Sequence, residues 1–171
     1  MAGSLVLIDE DNPTSEVSSV TLTGITSDFD VYKLLVSGYS HDTLQSLYIR
    51  VTNGGTVRDA ANYEYGHDYI KQDTTSTTFY DTSATAIPVT TTVGNAAADE
   101  GFAEVFLFNF SNASEYSQIN VDSVYSSTTA VPYSLNGSGA YMVAEANDGV
   151  HLFGNNSATF TGSFKLYGLK K

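Results

Sequence analysis

Residues 158–169, near the C-terminus, alternate apolar and polar side chains along most of their length. Phe160, Phe164 and Leu166 fall on one face, with Gly162 and Gly168, while Thr, Ser, Lys and Tyr side chains occupy the other. A period of two is the pattern of a half-buried antiparallel strand. The segment is therefore predicted to be a closing strand that lies inside a sheet.

Short segments rich in Val, Ile, Tyr, Phe and Thr recur along the chain and predict an all-β protein. The candidate strands are Leu5–Ile8, Val17–Thr23, Val31–Ser37, Leu47–Thr52, Phe102–Phe110, Gln118–Tyr125, Ala140–Ala146, Val150–Phe153 and Thr159–Leu169. Asn- and Gly-rich clusters, such as 53–55 and 136–139, are predicted turns because both residue types tolerate positive φ. Residues 147–149, Asn-Asp-Gly between two apolar runs, predict a tight hairpin.

Helical signals are weak, because Arg58–Tyr63 and Asn95–Glu100 are each long enough for a single turn at most. The Thr-rich stretch Asp73–Thr92 is predicted to be a long loop with one or two edge strands. Pro88 is expected at a sheet edge, since proline donates no hydrogen bond to a ladder. Many short strands separated by turns are typical of a sandwich or barrel. We predict one domain, 1–171, that folds as a jelly-roll-like antiparallel β-sandwich.

Composition narrows the range of functions. The apolar fraction of 42% suffices for a core, and the net charge is −12, from 19 acidic and 7 basic residues. Such acidity disfavours nucleic acid as a partner, because phosphate contacts need clustered Lys and Arg. No apolar run approaches the ~18 residues of a membrane span, and no membrane partner is expected. The absence of cysteine excludes a disulfide framework and a thiolate nucleophile.

Signals of catalysis are poor. Ser40, His41 and Asp42 are adjacent in the sequence, but neighbours along a strand point to opposite sides and cannot form a relay. No Gly-x-Ser-x-Gly elbow occurs. A catalytic pair of carboxylates for glycoside hydrolysis is left open as an alternative, since nothing in the sequence distinguishes one acidic pair from another. The chain is expected to be no enzyme and to need no cofactor.

Metal binding has equally weak support. Residues 9–12, Asp-Glu-Asp-Asn, offer clustered oxygens, but Pro13 breaks the pattern of a calcium loop. His41, His67 and His151 are scattered and form no His-x-x-x-His pair. A solvated turn is the favoured interpretation of the acidic cluster, and a bound calcium ion is left open.

Aromatic residues are the best candidates for a binding surface. The chain has 12 Tyr and 9 Phe but no Trp. Tyr63, Tyr65 and Tyr69 lie close together among polar neighbours, and tyrosine suits binding surfaces because it joins a flat apolar ring to a hydroxyl. The favoured alternative is that these rings pack on one sheet face or close one end of the sandwich.

Four segments resemble one class of viral protein. Gly24–Gly38 reads Gly-Ile-Thr-Ser-Asp-Phe-Asp-Val-Tyr-Lys before an apolar strand, and Leu47–Gly55 reads as the next strand with its Gly-Gly turn. The Asn-Tyr-Glu-Tyr element Asn62–Tyr65 follows, and Ala158–Leu169 ends in Gly-Ser-Phe-Lys-Leu-Tyr-Gly-Leu. These motifs resemble those of small β-sandwich structural proteins in the virions of tailed bacteriophages. They cover under half of the chain.

The resemblance implies a non-enzymatic virion protein, most of all a capsid decoration (cement) protein. It would bind the major capsid protein on the outer surface of the virion, after synthesis in the host cytoplasm, and stabilise the shell against internal pressure. Such proteins commonly form homotrimers. The expected interface residues are Leu5, Leu7, Tyr63, Tyr65, Tyr69, Phe79 and Tyr80. The main alternative is a tail-fibre or receptor-binding module that recognises a host-surface glycan or protein, and a glycan-cleaving enzyme is a weaker one.

Overall fold

The computed structural model describes residues 4–72, 76–127 and 131–170. These residues form two antiparallel β-sheets and almost no helix, with one 3₁₀ turn at Asn155–Ser157. The strands are β1 (Ser4–Asp11), β2 (Ser19–Thr23), β3 (Val31–His41), β4 (Leu47–Asn53), β5 (Thr56–Val57), β6 (Tyr63–Lys71), β7 (Ser76–Ala84), β8 (Ile87–Pro88), β9 (Gly101–Phe108), β10 (Ser117–Ser126), β11 (Pro132–Tyr141), β12 (Gly149–Gly154) and β13 (Phe160–Lys170).

The two sheets differ in size. The large sheet has the strand order β1-β13-β3-β9-β10-β11-β6-β7, and the small sheet has the order β2-β12-β4-β5, with β8 also paired to β4. The predicted all-β antiparallel sandwich is therefore confirmed. The closing strand β13 lies between β1 and β3, inside the large sheet, and its residues 164–170 pair with the first strand.

The core fills the space between the sheets. Strands β9 and β10 alternate strictly between buried and more exposed positions, as the period of two predicts. Fully buried side chains from the large sheet meet those of the small sheet; examples are Leu34, Val105, Leu107, Val121, Phe164 and Leu166 on one side and Leu22, Ile49, Val51, Val150 and Leu152 on the other. One continuous cluster of buried residues thus joins both sheets.

The predicted hairpin at residues 147–149 is wrong. The strand before it, β11, ends at Tyr141 in the large sheet, whereas β12 belongs to the small sheet. The connecting segment crosses between the sheets and is anchored by Asp148. Its carboxylate accepts hydrogen bonds from Thr52 Oγ1 at 2.6 Å and from the Gly55 backbone N–H at 3.1 Å.

Residues 136–139 form part of a strand where the sequence predicted a turn, whereas the edge strands predicted in the Thr-rich stretch are present as β7 and β8. The Asn- and Gly-rich cluster lies inside β11, and its inward-facing glycines leave room for other groups in the core. Most of the stretch from Asp73 to Thr92 forms β7 and β8, while residues 73–75 lie outside the described residues. Pro88 lies in β8 beside β4, at an edge of the small sheet, as predicted.

Candidate interaction face

The outer face of the large sheet carries a line of exposed apolar side chains. Phe102 on β9 lies directly opposite Val124 on β10, and Ile70 on β6 follows across Ser134 of β11. Their side chains are 45%, 52% and 53% exposed, in that order. We call Phe102, Val124 and Ile70 the apolar row. Exposed apolar side chains that gather on one face of a folded domain indicate a candidate contact site.

A line of polar and acidic side chains runs beside the apolar row. Glu104, Asp122, Asn136 and Asp68 lie opposite one another on β9, β10, β11 and β6. We call these four residues the acidic row. Asn136 Nδ2 donates to Asp122 Oδ1 at 2.8 Å. Lys33 Nζ lies 2.9 Å from Glu104 Oε1 and offsets the repulsion between Glu104 and Asp122.

A groove of about 440 Å³ opens at the other end of the same face. Its walls include Tyr80 of β7, which is 77% exposed, and Phe108 of β9. Polar side chains line the floor between them; these are Gln118 and Asn120 of β10, Ser138 of β11 and Glu64 of β6. We call this feature the Tyr80 groove. It combines the exposed Tyr80 ring and the half-buried Phe108 ring with hydrogen-bonding groups, as ligand sites do.

Strand β1 forms one edge of the large sheet. Its apolar residues Leu5 and Leu7 are about half exposed. The Asp9 carboxylate accepts a hydrogen bond from the Thr23 backbone N–H at 2.8 Å, which ties β1 to β2 of the small sheet. An edge strand of this kind can accept a further strand from another molecule.

The predicted tyrosine cluster faces inward. Tyr63 is fully buried, where its hydroxyl donates to the Arg58 carbonyl at 2.6 Å and accepts from the Val51 N–H at 3.0 Å. Burial raises the pKa of Tyr63 above its ordinary value. Tyr63 therefore stabilises the core and has no surface for a partner to contact.

Tyr65, Tyr69 and Phe79 form a half-buried cluster with His67 on the inner side of β6 and β7. The Phe79 ring centroid lies 5.9 Å from that of Tyr65 and 6.1 Å from that of Tyr69. Among the predicted interface residues, Leu5, Leu7 and Tyr80 are the ones whose side chains are well exposed. The structure places Leu5 and Leu7 on β1, far from Tyr80 on β7, because β1 and β7 are the opposite edges of the sheet.

His67 is buried, with rings on both sides. The Tyr65 and Phe79 centroids lie 5.1 and 5.4 Å from its own. Neither of its ring nitrogens has a hydrogen-bond partner among the described residues. Burial lowers the pKa of His67 from 6.5 to about 4, because the charged form loses its hydration.

The other two histidines lie elsewhere. His41 is buried and hydrogen-bonded to the Tyr39 hydroxyl, and burial lowers its pKa to about 4. Asp42, next in sequence, is exposed and accepts from the Thr159 N–H at 3.1 Å, so Ser40-His41-Asp42 forms no relay. His151 lies on the small sheet, 2.8 Å from Thr21 Oγ1, and burial, then the Arg50 charge, lowers its pKa.

Within the described residues, no group of three or more His, Asp and Glu side chains is placed to hold a metal ion. In that same part of the chain, no helix is long and apolar enough to cross a membrane.

The fold defines the class of this protein as an antiparallel β-sandwich with an open, mixed apolar and acidic sheet face. Comparison with protein-family models, with curated proteins and with solved structures finds no significant match.

Sequence reasoning missed the apolar row and most of the Tyr80 groove, although β9 carried a signal. On β9, Phe102, Phe106 and Phe108 share the outer face with Glu104, while Ala103, Val105 and Leu107 form the buried face. Three phenylalanines on the solvent side of one strand are a high density of apolar residues and indicate a candidate contact surface.

Proposed function

We propose that this chain is a non-enzymatic structural protein of a tailed-phage virion, and that it acts as a capsid decoration protein. The observation that supports the proposal is the apolar row, which places exposed apolar side chains on the outer face of the large sheet. Exposed apolar anchors held by a rigid scaffold are the usual centre of a protein interface. The sequence resemblance described above supplies the proposed partner, the major capsid protein.

The charge distribution fits an outward position on the shell. The chain carries a net charge of −12, and the acidic row lies directly beside the apolar row. An inner position would place this charge against packaged DNA, where it is repelled. The proposed capsid surface therefore pairs an apolar centre with basic residues at its margin.

The proposed homotrimer stays a prediction. The edge strand β1, with the half-exposed Leu5 and Leu7, is where we place the contact between copies. Strand addition at such an edge gives main-chain hydrogen bonds and apolar contacts together.

Truncating two of the three side chains in the apolar row tests the decoration role. The double variant Phe102→Ala and Val124→Ala is expected to rebind stripped capsids at least tenfold more weakly than the wild type, because both contacts at the interface centre are lost. Co-sedimentation with capsids that lack the protein measures this, and thermal DNA release reports the strength of the particle. The matched control is Leu44→Ala, an exposed apolar side chain away from this face.

Equal rebinding of the double variant and the control would contradict the proposed contact surface. Unchanged thermal release from stripped particles would contradict the decoration role itself. The tail-fibre or receptor-binding alternative is favoured by one observation, the exposed Tyr80 ring beside the groove.

A further inference from the structure

The Tyr80 groove has features that the decoration role does not use. It spans the large sheet from β9 to β7, so Phe108 and Tyr80 stand on strands four positions apart, with β10, β11 and β6 between them. With neighbouring strands about 4.8 Å apart, the backbones of β9 and β7 are separated by about 19 Å. That width accommodates an extended ligand across the strands.

The floor of the groove is open because its strands carry short side chains there. Gly66, Ser138 and Asn120 lie opposite one another in one row, and Tyr80 continues this row on β7. Glu64, Ala140 and Gln118 form the adjacent row, which ends at Phe108. Aromatic rings thus stand at both ends of a floor of small and polar residues.

The polar groups of the floor are available for a ligand. Within the described residues, the side chains of Gln118, Ser138 and Glu64 make no hydrogen bond, and Asn120 uses its Nδ2 on the Gly137 carbonyl at 3.1 Å. Its Oδ1 is left to accept another bond. Amide, hydroxyl and carboxylate groups together supply donors and acceptors on one surface.

Tyr80 is held out toward solvent. Its ring is 77% exposed and makes no aromatic contact with another described residue. When a ligand stacks on the free face of this ring, the apolar C–H surface of the ligand is removed from water. The Tyr80 hydroxyl at the outer end of the ring stays hydrated. The ligand therefore needs a flat apolar face as well as hydroxyl groups.

Charge narrows the class of ligand further. Among the described residues that line the groove, Glu64 and Asp81 are acidic and none is basic. With the whole chain at −12, a phosphate, sulfate or carboxylate group is repelled. Nucleic acids and acidic polysaccharides are disfavoured on this ground.

We propose that the Tyr80 groove binds a neutral oligosaccharide, whose pyranose rings stack on Tyr80 and Phe108 while its hydroxyls bond to Gln118, Asn120, Ser138 and Glu64. A pyranose has one apolar face and a rim of hydroxyls, which match the aromatic ends and the polar floor of the groove. The inference depends on the groove alone and holds whether the protein sits on a capsid or on a tail.

The test begins with the full chain on an array of neutral hexose and N-acetylhexosamine oligosaccharides, followed by calorimetric titration with the strongest binder. Tyr80→Ala is expected to weaken binding at least tenfold, while Tyr80→Phe, which keeps the ring, stays within about twofold. The same oligosaccharide carrying a uronic acid is expected to bind more weakly than the neutral form. Glu64→Gln is expected to reduce this difference in affinity between the two oligosaccharides.

The double variant Phe102→Ala and Val124→Ala is the matched control, since it lies on the same face outside the groove. If both proposals hold, this variant binds the glycan as the wild type does and no longer rebinds capsids. The glycan proposal and the decoration proposal can therefore fail independently. Absence of binding to every neutral glycan, or affinity unchanged in Tyr80→Ala, would overturn the inference. Binding of a proline-rich peptide at Tyr80 in place of a glycan would overturn it as well.

Discussion

Replacing Gly137 with alanine is expected to destabilise the fold by about 3 kcal/mol. Gly137 faces the core from β11, and a Cβ atom there would lie 2.0 Å from His67 Cδ2 and 2.5 Å from the Gly66 carbonyl oxygen. One of these neighbours is backbone within a paired strand, so the clash is relieved only by separating β11 from β6. Urea unfolding, followed by circular dichroism, measures the loss.

Gly66→Ala is the matched control for this substitution. Gly66 lies on the neighbouring strand β6 but faces outward, and a Cβ atom there meets nothing within 4 Å. The free energy of unfolding of Gly66→Ala is expected to differ from that of the wild type by less than about 0.5 kcal/mol. If Gly137→Ala is as stable as Gly66→Ala, the packing of His67 over β11 is wrong.

Acid is expected to destabilise the protein through His67 and separately through His41, because burial holds the pKa of each ring at about 4, and His67→Leu is expected to remove the contribution of His67 alone. The folded state holds the pKa of His67 at about 4, whereas the unfolded chain binds a proton near pH 6.5. The contribution of this ring to stability is thus complete above pH 6.5, falls as the pH drops from 6.5 to 4, and is constant below pH 4. The loss across this window is about 3 kcal/mol.

Leucine nearly matches histidine in volume and carries no polar atom. Since both His67 nitrogens lack hydrogen-bond partners among the described residues, His67→Leu is expected to be at least as stable as the wild type at pH 7.5. Its advantage is expected to grow at pH 4.5. Urea titrations at both pH values measure this, with His151→Leu as a control that keeps most of the acid sensitivity. Parallel pH profiles for the wild type and His67→Leu would contradict a buried, neutral His67.

The strands that sequence patterns predicted well are those with one buried and one polar face. β10 and β13 are of this kind, and their inward residues, such as Val121 and Phe164, are fully buried. β9 was also placed correctly, from its high density of apolar residues. These strands pair with one another or with β3 in the middle of the large sheet.

Strand β6 was not predicted, although its tyrosines favour strands, and β11 was missed over most of its length because its Asn and Gly residues disfavour them. Gly137 and Gly139 indicate a turn by local propensity, but the core needs small residues there, since a Cβ at Gly139 would lie 2.7 Å from Ile87 Cδ1. Thr- and Ser-rich β7 gains its strand structure from pairing with β6. Tertiary contacts, and not local propensity, determine the secondary structure of these segments.

The aromatic candidates were predicted by residue type, but the sequence did not show which of them are exposed. Tyr80 was among these candidates, and it is the most exposed of their side chains. Tyr63 was indistinguishable from it in sequence, although the strand register turns Tyr63 into the core and Tyr80 toward solvent. The apolar row joins three strands that are distant in sequence, so a linear pattern does not show it.

The central proposal, that this chain decorates a phage shell, is tested most directly by its copy number in purified virions. Quantitative mass spectrometry against the major capsid protein gives this ratio. The account predicts an abundance comparable to that of the major capsid protein. A handful of copies per particle would contradict decoration and point to a tail component, and complete absence from the virion would contradict the structural role altogether.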